Sequence, residues 1–355
     1  MTPLSTALPL IGASVLNTVR FLLACAVLIS HIPTLKLNIN IGVIAVICFY
    51  FMSGYLMEKS FSRFINLSHS PRLSFYKDRC LKLFPQYLII LAISSTLLYL
   101  YGPSERIWFL NQTISFEKII YNILLLPTNY IFSPLIIHPI LPHPIIPPAW
   151  SLATEFHFYL LLPLIFALPT RLFLLLLIIS LGIQITSFFV STPLFNADNF
   201  GYRYIFGVLP IFIMGYLYSK ENSGIKKYLL WLIYCFLYLL SQLEPGFITQ
   251  DRTIEVLIGA ILSLPLMRLV INITISNKRL NELDKHLGNL AYPIFISHCL
   301  GFYILEKIAG YPPEPSLSYV LSAIAIAIAI AVPLSIVQKS IEKYRFSSRG
   351  FNSIR

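Results

Sequence analysis

RFLLACAVLISH, residues 20 to 31, sets ten residues without a formal charge between an arginine and a histidine. Ala, Val, Leu, Ile, Phe, Cys and Ser fill the interval, and whether it is a membrane span decides the fold. The rest of the chain answers that question. Of its 355 residues, 57% are hydrophobic and 12% charged, against about 25% charged in an ordinary soluble domain. Apolar runs of about 17 to 22 residues recur along its whole length, enough for a helix to cross about 30 Å of hydrocarbon. A β-barrel would need shorter segments alternating in polarity, and that pattern is not general here.

The predicted fold is an all-α integral membrane protein of about ten transmembrane helices. Splitting the chain at its polar interruptions places them at about 14–34, 41–57, 83–101, 149–168, 171–190, 202–219, 228–243, 253–274, 287–306 and 318–338. One stretch, AIAIAIAIA at 323–331, alternates like a strand. An unpaired strand in lipid leaves its amides unsatisfied, so a helix is expected there too. No Lys or Arg precedes Arg20, so the first span is expected to be retained and not cleaved as a signal peptide.

With both termini in the cytoplasm, 19 of the 26 Lys and Arg lie on that side, Lys36, Arg106, Lys118, Arg203, Arg252 and Lys307 lie outside, and Arg20 lies within a span. This is the asymmetry of the positive-inside rule. The net charge of +11 is then a topology signal with some attraction to anionic membrane lipids, and no nucleic acid is implied. Cys25, Cys48, Cys80, Cys235 and Cys299 are scattered singly and read as small buried hydrophobes. Neither a disulfide framework nor a metal site is expected.

Two connections carry unusual chemistry. The cytoplasmic stretch Glu58–Lys82 is rich in Lys and Arg, which suits either lipid headgroups or a phosphate-bearing ligand. The outer loop, about Gly102–Ala149, packs seven prolines into residues 127–148 and holds His138 and His143. A loop of that length is functional or disordered as a rule, and it reads as a proline-stiffened cap on the outer face or as an inert plug.

Eleven helical steps bring Arg20 and His31 to one face, about 16 Å apart along the axis. Either the two share an internal polar channel, or Arg20 reaches to the headgroups while His31 touches the opposite interface. In PPAWSLATEFHFYLLLP, residues 147–163, Ser151, Glu155 and Tyr159 are spaced by four and share a face, with Trp150 adjacent. A buried carboxylate needs a partner or a proton. Glu155 therefore serves the chemistry or fixes helix packing. His157, on another face, reads as a packing residue, and His298 interrupts the ninth span.

Taken in order, these blocks resemble membrane acyltransferase family 3, ten-span O-acyltransferases of bacterial surface polysaccharides. Arg20 to His31 is similar to the family's arginine, ten residues, histidine signature. FYFMSGYLMEKS (49–60), YKDRCLKLFPQY (76–87), AWSLATEFHFYLLLPL (149–164) and AYPIFISHC (291–299) resemble its later blocks. Lys82 stands where a second arginine is usual, Phe156 and His157 replace a polar pair, and Arg203 matches the sixth-span arginine with imperfect spacing.

The resemblance implies a single domain over residues 1–355 without a fused soluble domain, in the bacterial inner membrane. It implies acetyl transfer from cytoplasmic acetyl-CoA, with no bound cofactor, to a sugar hydroxyl of a surface polysaccharide such as lipopolysaccharide O-antigen, or of its lipid-linked precursor. His31, Arg20 and Glu155 would be catalytic, with His31 as general base or as transient acyl acceptor. Arg79, Lys82, Trp150, Ser151, Tyr159, His298 and Arg203 would bind substrates. Periplasmic glucan, peptidoglycan, a lipid or a small secreted molecule are alternative acceptors. A transporter or flippase of a sugar intermediate is the reading from another class, and the absence of an internal repeat speaks against it.

Overall fold

Apolar runs of this length, given no water to satisfy their peptide groups, have one solution open to them within a single segment, the helix. A computed structural model describes residues 15–32, 38–105, 107–130, 143–193, 195–220, 224–244, 250–310 and 316–347. Eleven α-helices occupy them, and no strand is formed among the described residues. They are α1 (Leu16–Ser30), α2 (Ile41–Leu67), α3 (Pro71–Tyr101), α4 (Phe116–Leu124), α5 (Ala149–Ala167), α6 (Thr170–Ser187), α7 (Ile205–Ser219), α8 (Lys226–Leu243), α9 (Thr253–Asn272), α10 (Lys278–Ala309) and α11 (Leu317–Ser347). Single turns of 3-10 helix stand at Trp108–Leu110 and Leu126–Tyr130, and a π-helical turn at Ala197–Arg203 leads into α7.

Ten of these helices fall on the ten predicted spans, and α4 lies in the predicted outer loop. Among the described residues, eight are long and apolar enough to cross a membrane: α2, α3, α5, α6, α7 with its π turn, α9, α10 and α11. At 15 residues α1 is apolar but short, about 22 Å at 1.5 Å per residue. α8 is not among the eight.

Several helices outrun their predicted spans. The basic stretch 58–82, expected as a loop, is the continuation of α2 to Leu67 and the first turns of α3 from Pro71. Apolar residues spaced along it, Phe61, Phe64 and Phe75, are buried against one another and keep those turns helical beyond the apolar run. AIAIAIAIA lies in α11, where alternation by two puts Ala323, Ala327 and Ala331 four residues apart on one buried face. That stripe of small side chains lets α11 approach α10 at Gly301.

α1 lies against α2 and α10, and α2 packs on α7 and α9. At the α2–α7 crossing the two backbones come close. A Cβ on Gly54 would stand 2.0 Å from the Phe212 carbonyl oxygen, and one on Gly215 would stand 1.9 Å from that of Phe51. Each helix thus presents a glycine to the other's backbone. Beyond the crossing, Glu58 of α2 accepts from Ser219 Oγ of α7 at 2.8 Å.

The described part of the loop between α3 and α5 is built into the bundle. Asn122 of α4 is fully buried; its carbonyl accepts from Tyr87 Oη at 2.7 Å and its side chain from the Ile145 amide at 3.0 Å. Asn129 donates to Thr154 and to the Arg203 carbonyl. His143 packs edge-on to Trp108 at 4.9 Å; His138 lies outside the described residues. Lys118 is 2% exposed, with Nζ 3.4 Å from the Thr113 carbonyl, and burial lowers its ammonium to about 8.

Gly54→Leu is expected to abolish recovery of monodisperse protein on size exclusion in detergent, because the added side chain meets backbone that cannot move aside; wild-type recovery would show that α2 and α7 can separate. The unfolded Lys118 side chain binds its proton up to about pH 10.5 and the folded one only to about pH 8, so stability should rise with pH across that window. Lys118→Met is expected to raise the thermal midpoint at pH 7 by several degrees and to flatten that rise, and an unchanged slope would exclude this group.

Candidate functional site

Arg20 and His31 occupy the two ends of α1, whose position is set from outside the helix. Asp284 of α10, almost fully buried, caps its first turn by accepting from the Thr18 amide at 2.8 Å, from Thr18 Oγ1 at 2.7 Å and from Asn17 Nδ2 at 2.9 Å. At the other end His31 is the C-cap. Its Nδ1 is 2.8 Å from the Val27 carbonyl oxygen. A carbonyl only accepts, so Nδ1 carries the hydrogen and Nε2 of the neutral ring holds the lone pair.

His298 of α10 repeats this arrangement one helix away. It is fully buried, Nδ1 lies 3.1 Å from the Ile294 carbonyl, and Nε2 has no hydrogen-bond partner among the described residues. The two imidazoles are 5.0 Å apart between centroids, tilted by 51°. Phe109, from the 3-10 turn after α3, stands edge-on to His31 at 5.7 Å. Arg203 is near enough for its charge to act on the His31 ring.

Arg20 opens onto a partly open cavity of about 80 Å³ between α1, α2, α3, α5 and α10. Lys82, Ser151, Glu155 and Tyr159 are on its wall, with Tyr50, Ser53 and Tyr292. Among the described residues no carboxylate lies within 4.0 Å of Arg20 or Lys82. The one acid on the wall, Glu155, is engaged by hydroxyls: Ser53 Oγ donates to it at 2.8 Å, and Tyr159 Oη donates to the same oxygen. The Ser53 bond ties α5 to α2, so Glu155 has a structural task whatever else it does. The wall therefore carries two basic side chains without an ion pair among the described residues, set against one acid, an arrangement an anionic ligand would complete.

The other predicted residues lie elsewhere. Arg79 is off the cavity wall. It is almost fully buried, donates through Nε to Asp78 at 3.0 Å, and shares that carboxylate with Arg345 of α11, whose Nε and Nη2 reach Asp78 at 3.0 and 2.9 Å. Arg203 is paired with Asp198 at 2.9 Å and stacks over Trp150 at 4.4 Å. His157 bonds Tyr130 Oη and the Ala153 carbonyl as a packing residue would.

Sequence reasoning did not single out Ser53, Asp78, Arg345, Asp284 or Tyr292. Asp78 was visible as the lone acid in the basic run YKDRCLK, and Ser53 as the polar neighbour of a glycine inside an apolar helix. Arg345 and Asp284 gave no local signal, because their partners are more than 260 residues away in the chain.

Residues 14–336 match the family model described as an acyltransferase domain, Acyl_transf_3. An uncharacterized protein of Aquifex aeolicus (strain VF5) is 29% identical over 211 residues, 57% of this chain and 90% of that protein. No solved structure matches.

Asp78→Ala would leave Arg79 and Arg345 buried without their shared anion. It is expected to cost about 3–5 kcal/mol, read as a drop in the thermal midpoint in detergent, and a midpoint equal to wild type would show that the two guanidinium groups are compensated elsewhere.

Proposed function

The chain belongs to membrane acyltransferase family 3, and from that premise we propose that it transfers acetyl from cytoplasmic acetyl-CoA to a sugar hydroxyl of a cell-surface polysaccharide such as lipopolysaccharide O-antigen. A multi-pass helical membrane protein suits the task, since donor and acceptor belong to opposite sides of a membrane. In this reading the membrane is the bacterial inner membrane, both termini are cytoplasmic, and the acceptor is the polysaccharide or its lipid-linked precursor.

The observation that carries the proposal is α1 itself. One helix holds, on a cavity wall at one end, a cation without an ion pair among the described residues and, about 16 Å along, an imidazole whose Nδ1 is committed to Val27. CoA brings phosphates, and Arg20 and Lys82 are the cations available to them on that wall. Arg79 supports the donor end indirectly, through the Asp78 cluster that joins α3 to α11. Ser151, Tyr159 and Glu155 line the path, and Trp150 with Arg203 flanks the acceptor side.

Among the described residues no hydrogen bond engages His31 Nε2, which in this reading takes the proton. As it removes hydrogen from the sugar hydroxyl, the oxygen attacks the thioester carbonyl, the new C–O bond forms, the C–S bond breaks, and the CoA sulfur leaves with the electron pair. The proton returned from His31 to that sulfur closes the cycle. The Nδ1–H bond to Val27 suits the base role, because it holds the ring in the accepting tautomer and steadies the imidazolium that forms, and the same tautomer would serve His31 as a transient acyl acceptor.

His31→Ala is expected to reduce acetylation of the surface polysaccharide by roughly 100-fold or more while the protein stays inserted. The readout is mass spectrometry of the polysaccharide, one acetyl mass per repeat being lost, and acetylation at the wild-type level would remove His31 from the mechanism.

A further inference from the structure

The cavity that holds Arg20 and Lys82 stops short of the histidines. Neither His31 nor His298 is on its wall. Phe295 of α10, one turn before His298, is on that wall. Its ring lines the cavity beside Phe49 of α2, the two rings meeting edge to face at 6.1 Å and 73°. The same ring also meets His298 at 6.4 Å and 64°. Phe49 and Phe295 are only partly buried, whereas their chain neighbours Cys48, Tyr50, Ile294 and Ile296 are buried.

Along α10 the order is therefore the cavity-wall residues Ala291 and Tyr292, then Phe295, then His298, which meets His31, itself edge-on to Phe109. A donor held by its phosphates at Arg20 and Lys82 extends its acyl end toward the phenylalanines. Its carbonyl carbon comes within reach of His31 only where the Phe295 ring gives way. The space this ring yields limits how many methylenes follow the carbonyl.

We propose that Phe295, backed by Phe49, is the partition between the donor cavity and the histidine pair and determines which acyl groups reach it. This rests on the acyl-donor reading above. Small acyl groups pass with a modest rotation of the ring, and longer ones collide with it. A pocket wall discriminates single methylenes by roughly 10- to 200-fold, so one aromatic ring is sufficient to set acyl length.

Two measurements on the full-length protein in detergent separate this inference from the reading beneath it. The first follows carbethoxylation of His31 and His298 by diethyl pyrocarbonate, read by peptide mass spectrometry, and needs no turnover. Phe295→Ala is expected to speed labelling several-fold and Phe295→Trp to slow it. The second compares acetyl-CoA with butyryl-CoA as donors. Phe295→Ala is expected to raise butyryl relative to acetyl transfer by about tenfold or more, with Phe295→Leu and Phe49→Leu giving smaller shifts in the same direction should the alanine variant fold poorly. Labelling rates and donor ratios that stay at wild-type values in the folded variants would overturn the partition. Wild-type protein that uses neither donor would overturn the acyl-transfer reading instead, and the labelling result would still decide whether Phe295 separates the cavity from the histidines.

Discussion

The approach of α2 to α7, backbone against backbone at Gly54 and Gly215, is the contact on which the rest of the site depends. α2 supplies more of the cavity wall than any other helix, from Val46 to Met57. Ser53, the residue before the crossing glycine, holds Glu155 and so places α5. With α7 drawn in this closely, the Phe212 ring stacks on both Tyr50 and Phe158. Bulk at the crossing would move α2 outward and dismantle the wall. In lipid, where apolar surface alone gives helices little reason to associate, such close packing and a few internal polar bonds are what hold a bundle together.

Charge is handled in two ways within that bundle. Asp78 is buried and shared by two guanidinium groups, Arg79 and Arg345, which closes α11 onto α3 with ion pairs. Arg20 and Lys82 are left facing a cavity with Glu155 turned to hydroxyl donors. The first arrangement is complete within the protein. The second has no ion pair among the described residues, and the contrast divides these basic residues more sharply than the motif they share. Arg79 and Lys82 are three residues apart, yet they belong to different arrangements.

Helical arithmetic was sufficient for relationships inside one element. The shared face of Arg20 and His31 follows from a period of 3.6, as does the approach of Tyr159 to Glu155 one turn away. The limits of the helices were less legible, since hydropathy records the thickness of the apolar layer whereas helices persist as long as their hydrogen bonds and side-chain contacts do. The stretch 58–82, read as a loop, is helical on both sides of a short turn for that reason. The loop before α5 was legible as unusual, but its insertion through Asn122 and Asn129 was not, because a polar residue in a loop looks the same whether it faces water or a buried carbonyl.

By itself the sequence determined that this is a helical membrane protein, where its apolar segments lie, and that Arg20, His31 and Glu155 are polar groups in apolar surroundings. These follow from composition and from the fixed rise and period of a helix. The tertiary structure was needed to bring His31 to His298, to pair Arg79 with Asp78 while Lys82 faces a cavity, and to set Phe295 on that cavity's wall. Each of these depends on how one helix is rotated and shifted against another. That rotation is set by packing of small residues and by polar bonds between distant positions, which no local pattern in the chain encodes.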